Sequence, residues 1–205
     1  MEFVYPDGAT PLDPDAARGL IPDLRTQSEL NAFEGRNIAD GLEWARRSRK
    51  LRSDLVSVDG LCLLHKRMFD QTWTWAGEFR RVNTNIGVDW PRIGVQLREL
   101  CDDIPYWIEN ETYPWTELGV RFHHRLVQIH PWWNGNGRHG RIAANLLLEF
   151  HKQPPIHWAT GMSLTEVGAA RGVYIAGMRA ADAFDYGPLL RIAAGHRALS
   201  DGGAE

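Results

Sequence analysis

Apolar residues recur every three or four positions along most of the chain, which is the spacing of amphipathic helices. Thr26 and Glu29 have capping-box spacing and open a first predicted helix, with Leu30, Phe33, Ile38 and Leu42 on its apolar side. A second is predicted from about Val58 to Phe69, with Leu61, Leu64 and Met68 on one face. A third, from about Arg92 to Ile108, carries Ile93, Leu97, Leu100, Cys101, Ile104 and Ile108 as a stripe, and Pro105 inside it should kink it. A fourth, from about Thr116 to Ile129, buries Phe122, Leu126 and Ile129. A fifth runs from about Arg138 to Phe150, and its unbroken run Ala143–Leu148 marks the most buried element. Ser163 and Glu166 cap a sixth, and Pro188 suits the first turn of a seventh.

One segment departs from this rhythm. Phe79 to Val88 carries β-branched Val82, Thr84 and Ile86 among Asn83, Asn85 and Gly87, and reads as a short β-hairpin. Four prolines in residues 1–25 predict an extended arm without helix, and residues 200–205 read as a frayed tail. A chain of 205 residues suits one domain, placed at 26–199. A net charge of −3 gives no basic footprint, so neither membrane nor direct nucleic-acid binding is expected. Most of the nine tryptophans read as core or cleft lining, and Cys62 and Cys101 as small apolar core residues. No signal pattern or long apolar run is present in the sequence, and the expected location is the cytoplasm.

The densest chemistry lies in His130-Pro131-Trp132-Trp133-Asn134-Gly135-Asn136-Gly137-Arg138-His139-Gly140-Arg141. Its glycines let successive backbone N–H groups turn toward one point, and such a nest binds anions. The helix that follows adds the positive end of its dipole there. Arg138 and Arg141, three apart, share a face from which both can clamp a polyphosphate. His130 stands on the entry side, where a neutral imidazole can accept a proton from a hydroxyl. The arrangement suits group transfer from a nucleoside triphosphate to a hydroxyl.

This stretch resembles the Fic (Fido) family signature, His-Pro-Phe-x-(Asp/Glu)-Gly-Asn-Gly-Arg-x-x-Arg. Trp132 stands for the Phe, and Asn134 stands where the family has a carboxylate. Trp73-Thr74-Trp75-Ala76-Gly77-Glu78-Phe79-Arg80 resembles the segment leading into the family's flap, and Arg121-Phe122-His123-His124 the run before its catalytic histidine. The resemblance covers roughly residues 26–195, and the whole chain resembles the small bacterial subgroup labelled mobile mystery protein B. It implies a mainly α fold: a helical bundle with a short β-hairpin flap over the active site. Flap residues Val82, Asn83, Thr84, Asn85 and Ile86 would pair with the target's main chain by strand addition. Arg80 and Arg81 at its base read as solvated charge or as part of that flap.

Glu34 interrupts the apolar stripe of the first helix, with Gly35 beside it. A carboxylate there either reaches water over a shallow stripe or meets a buried cation, for which Arg141 is the candidate. The family offers an inhibitory helix with the pattern (Ser/Thr)-x-x-x-Glu-(Gly/Asn). Glu34-Gly35 matches it, while Leu30 occupies the hydroxyl position. The resemblance thus implies an N-terminal inhibitory helix at about 26–46.

It also implies a protein adenylyltransferase. ATP would lie in the nest of Gly135, Asn136 and Gly137, Arg138 on the bridging phosphates, Arg141 on the γ-phosphate, and Mg²⁺ across the α- and β-phosphates. His130 would deprotonate a Ser, Thr or Tyr hydroxyl of a target protein, and AMP would be transferred. Thr84 is a candidate for self-modification. Asn134 is the metal-ligand candidate, but its amide brings no charge. Alternatives are phosphoryl, UMP or phosphocholine transfer, removal of AMP, and a non-enzymatic toxin–antitoxin-type module with a partner encoded by a neighbouring gene. His123 or His124 is expected against the motif loop, His139 in solvent, and His151, His157 and His196 at the surface. Tyr174 and Asp182 either line the nucleoside side of the cleft or pack in the core.

Overall fold

The structure, a computed structural model, describes residues 14–158 and 169–195. The expected capping box Ser163–Glu166, His196 and the tail 200–205 lie outside the described residues.

Before Thr26 the chain makes one turn of helix, α1 (Pro14–Ala17), where only extended chain was expected. Pro14 is compatible with a first helical turn, which lacks i−4 donors anyway. The strand-like bridge Leu20–Trp73 then joins this segment to the loop after α4 (Val58–Phe69). The Trp75 indole donates to the Ala16 carbonyl at 2.9 Å.

α2 (Gln27–Arg47) starts at the expected capping box: Thr26 Oγ1 accepts from Glu29 N at 3.2 Å, and Glu29 Oε2 accepts from Thr26 N at 3.0 Å. Its buried face is Leu30, Glu34, Asn37, Gly41 and Ala45. A Cβ on Gly41 would stand 2.5 Å from the Arg67 carbonyl oxygen, so α2 crosses α4 closely at a point only glycine permits. Asn37 stitches the same seam, accepting from Gln71 N and from the Thr72 hydroxyl. This crossing fixes the height at which Glu34 enters the protein.

Ser48 ends α2 and caps α3 (Arg49–Asp54), a helix too short for periodicity to announce. On α4, Leu61, Leu64 and Met68 are fully buried as the spacing predicts, each contributing about 2 kcal/mol by area. α5 (Ile93–Glu109) continues through Pro105, and α6 (Trp115–Ile129) and α7 (Asn136–Phe150) pack side by side. One core joins α2, α4, α5, α6 and α7. A second cluster holds α8 (Ala169–Asp182) and α9 (Gly187–Ala193) against α6 and α7 through Val120, Leu148, Tyr174 and Leu189. Pro188 occupies the first turn of α9 as expected.

The hairpin expected over Phe79–Val88 is not formed; no strand is present in that segment, which is an irregular loop. Its backbone is organised around a side chain instead. The buried Arg80 guanidinium donates to the carbonyls of His130 (2.7 Å), Val82 (2.7 Å) and Val88. Carbonyls that a ladder would pair are held by one fork of donors. Arg80 is therefore an organising centre and not solvated charge.

Candidate active site

α6 and α7 are joined by the motif loop, and its first residue is bent by design. His130 caps α6 in the left-handed conformation (φ 55°, ψ 58°), with its N–H on the Leu126 carbonyl. That twist is costly for a residue with a Cβ and persists because neighbours over-determine it. Arg80 holds the His130 carbonyl, Arg80 N donates to the Pro131 carbonyl at 2.9 Å, and Val88 N donates to the Ile129 carbonyl at 3.3 Å. Gly87 (φ +102°) closes the loop onto the histidine: a Cβ there would stand 2.6 Å from His130 Cβ.

The His130 ring is nearly buried, and Nδ1 lies 3.3 Å from the Val127 carbonyl. Only a protonated Nδ1 can donate there, so the neutral ring carries its lone pair on Nε2. Burial is the main cause that pushes its pKa down to about 4; the Val127 bond opposes this, and Arg80 adds to it. The imidazole is thus a neutral base at ordinary pH.

Behind the loop lies an aromatic and histidine floor. Asn136 grips the Trp132 backbone twice, accepting from its N–H at 3.0 Å and donating to its carbonyl at 2.8 Å. Trp132 is fully buried and stacks on His65 at 4.5 Å. His65 accepts from Gly77 N on Nδ1 and donates from Nε2 to the Asn134 carbonyl at 3.1 Å. His139, expected in solvent, is instead fully buried, bridging the Trp132 indole and the Leu61 carbonyl. At position 139 the first turn of α7 faces α4, because His139 lies four before Ala143 and seven before Leu146 on the buried face of the helix.

The glycine turn that opens α7 lies where the nest is expected. Gly135 has φ 81°, and a Cβ would strike the Phe69 ring at 2.4 Å. The first i−4 bond of α7 is His139 N to Gly135 O, so helix geometry leaves the N–H groups of Asn136, Gly137 and Arg138 without i−4 acceptors. Asn134 Oδ1 takes the Gly135 N–H at 2.7 Å.

Glu34 arrives from α2 and is almost completely buried, so the reading in which it reaches water is ruled out. Its cation is Arg138, with Nη1 2.7 Å from Oε2, and not Arg141. Arg138 sits in the first turn of α7, facing α2. Arg141, about 300° further round the axis, lies over the Tyr174 ring at 5.4 Å and bonds its hydroxyl. Glu34 Oε1 accepts from the Trp73 indole at 2.7 Å and from Asn134 Nδ2 at 3.1 Å. A cavity of about 280 Å³ opens beside this cage, with Ile38 and Leu42 of α2 and Arg138, Arg141 and Ile142 of α7 on its walls.

Tyr174 is buried between Arg141 and His123 Nε2 (2.8 Å). His124 pairs with Asp182 at 3.0 Å and with the Tyr186 hydroxyl at 3.2 Å. His151 and His157 are at the surface as expected. Sequence reasoning passed over His65 and Trp73. His65 could have been found, because it lies four after Leu61 and three before Met68 on the buried stripe.

Asn134 is the one site residue proposed as a metal ligand, and its donor chemistry does not suit Mg²⁺. Its oxygen is occupied by Gly135 N–H and its amide nitrogen faces Glu34, whereas this hard cation takes carboxylates and freely available oxygens. Among the described residues no group of three or more His, Cys, Asp or Glu is placed to hold a metal ion.

Residues 55–148 match the Fic/DOC family model. The chain belongs to the Fic/DOC family. Among curated Fic relatives, protein adenylyltransferase fic-1 of Caenorhabditis elegans is 27% identical over 151 residues, 72% of this chain and 28% of that protein. This chain therefore spans under a third of the length of that relative. A solved structure of Fic-1 from the same organism superposes with a TM-score of 0.63 at 23% identity, covering 87% of this chain and 52% of that one. BepC, a VirB-translocated effector of Bartonella tribocorum solved with AMPPNP, gives a TM-score of 0.63 at 14% identity over 88% of this chain and 96% of its own. At such identities the likeness establishes the Fic fold. Among the described residues no helix is long and apolar enough to cross a membrane.

Proposed function

We propose that this Fic chain is a protein adenylyltransferase that transfers AMP from ATP to a target hydroxyl and is held silent by Glu34. The observation that carries this reading is a neutral, conformationally fixed His130 at the mouth of an anion nest whose first arginine is occupied by an internal carboxylate. The names of the adenylyltransferase relatives and the AMPPNP bound to BepC support it.

The triphosphate would lie against the N–H groups of Gly137 and Arg138, with Gly135 and Asn136 shaping the turn. The nest, the helix N-terminus and the guanidinia of Arg138 and Arg141 would meet the phosphate charge. A Ser, Thr or Tyr hydroxyl gives its proton to Nε2 of His130 as its oxygen bonds the α-phosphorus. The bond from that phosphorus to the β-bridging oxygen breaks, pyrophosphate leaves, and the target keeps AMP. Positioning and charge neutralisation supply most of the acceleration. The loop Val82–Ile86, whose Val82 and Ile86 are exposed, would dock the target backbone, with Thr84 as a candidate self-modification site. While Glu34 binds Arg138, the phosphates lack one of their two cations.

The test uses ATP labelled on the α-phosphate, cell lysate as target, and three proteins: wild type, Glu34→Gly, and Glu34→Gly with His130→Ala. Label transferred by Glu34→Gly alone is the expected result. Labelling equal to wild type would overturn the inhibitory role of Glu34. No label in any lane, with other nucleotide donors also tried, would favour the interaction-module reading.

A further inference from the structure

We infer that Asn134 is a clamp on Glu34, occupying by hydrogen bonding the place where the Fic signature has a carboxylate. The inference rests on the reading of Glu34 as the inhibitory group.

The orientation of the Asn134 amide is fixed by its two neighbours. Oδ1 receives the Gly135 N–H, and Nδ2 points to Glu34 Oε1. Turned over, the amide would set N–H against N–H on one side and oxygen against carboxylate oxygen on the other, so only one assignment satisfies both. The residue therefore offers Glu34 a donor. With the Trp73 indole and Arg138 it completes a cage in which both carboxylate oxygens are bonded.

An aspartate at position 134 would do the reverse. It would place a second acceptor about 3 Å from Glu34 Oε1, and two carboxylates at that distance cannot both ionise. The aspartate of the signature and a tightly seated Glu34 are therefore in conflict in this geometry, and the asparagine resolves it in favour of the seated glutamate. The same exchange removes a charged oxygen that a divalent cation would use. One position thus sets two properties: how firmly Glu34 is held, and how much metal assists nucleotide binding. The phosphate charge falls to Arg138, Arg141 and the helix N-terminus.

Two measurements on the full chain test this. In the first, Asn134→Asp and Asn134→Ala are made in wild type and in Glu34→Gly, and melting temperatures are compared. In wild type Asn134→Asp should lower the midpoint by roughly 5 °C and Asn134→Ala by less. In the Glu34→Gly background the Asn134→Asp drop should vanish, because the partner is gone, while Asn134→Ala keeps the part due to the lost Gly135 N–H bond. Equal drops in both backgrounds would overturn the clamp. In the second, ATP binding is measured by calorimetry with Mg²⁺ and with EDTA. Glu34→Gly should bind with an affinity that Mg²⁺ changes by less than about threefold, while Glu34→Gly with Asn134→Asp should gain about tenfold from Mg²⁺. The same Mg²⁺ dependence in both would overturn the claim that position 134 sets how much metal assists nucleotide binding. If no variant binds ATP, the adenylyltransferase reading fails, while the melting comparison still decides the clamp.

Discussion

Arg138 Nη1 lies 2.7 Å from Glu34 Oε2, while Arg141, one turn further along α7, turns to the ring and hydroxyl of Tyr174. Two guanidinia that look equivalent in the motif thus have different occupations. On the proposed function the first would exchange a carboxylate for a phosphate. The second leaves only a neutral phenol to accept an anion.

Removing each arginine should therefore have unequal effects. Arg138→Ala strands a buried carboxylate on two neutral donors and should cost about 3 kcal/mol of stability in urea titration. Arg141→Ala removes a buried cation that has no carboxylate partner among the described residues and should stay within about 1 kcal/mol of wild type. Equal losses would contradict the pairing.

Arg80→Met should loosen the motif loop from outside it. The carbonyls of His130, Val82 and Val88 would lose their donors, at about 1–3 kcal/mol for each buried group left unpaired. Amide exchange at Arg80 N and Val88 N, which bond Pro131 and Ile129, should quicken, and transfer by the Glu34→Gly protein should fall. Arg80→Lys should rescue little, since one ammonium lacks the planar fork. Unchanged exchange at both amides would sink this role.

Gly87→Ala is the smallest change expected to affect the reaction. Its methyl would meet His130 Cβ at 2.6 Å and Arg80 Nη2 at 2.8 Å, in a backbone conformation that already disfavours a side chain. Transfer by Glu34→Gly/Gly87→Ala should drop at least about tenfold with the fold retained by circular dichroism. Wild-type turnover would show that the loop does not need this contact.

The buried histidines predict an acid-sensitive fold. Burial pushes His130 to about 4 and His139 to about 3, and depresses His65, His123 and His124 as well. In the unfolded chain each titrates near 6.5. Below that value the unfolded state binds more protons than the native one, so their stabilising contribution is complete above about pH 6.5 and is lost as pH falls toward 4. Urea midpoints should decline between about pH 7 and 5, and a flat profile would contradict the burial of these rings. The same depression keeps His130 unprotonated, so the acid limb of transfer should lie below 6.5.

The local signals were legible in the sequence. Thr26 with Glu29, Pro188, and the stripes of α4 and α5 placed their helices because each is written within one or two turns. The glycines of the motif placed the turn that opens α7 for the same reason. What escaped depends on contacts across long stretches of chain. Arg80 reads as surface charge until the carbonyls of His130, Val82 and Val88 gather round it, and a segment that reads as a hairpin has no need of a ladder once they do. The pairing of Glu34 with Arg138 in place of Arg141 turns on how α2 and α7 face each other, which neither helix encodes alone. His139, expected in solvent, shares the buried face of α7 with Ala143 and Leu146, a spacing that is legible in the sequence.

The Trp73 indole touches Glu34, and its backbone meets Leu20 ahead of α2. The proposed off state would therefore be distributed over four separate stretches of sequence, around residues 20, 34, 73 and 134–138. On that reading a single base change in any of them would weaken the silence without touching the proposed base, His130. In a population of random variants, gain of transfer should appear at more positions than its loss at the base, and an untargeted screen for protein labelling would map the cage before it mapped the catalyst.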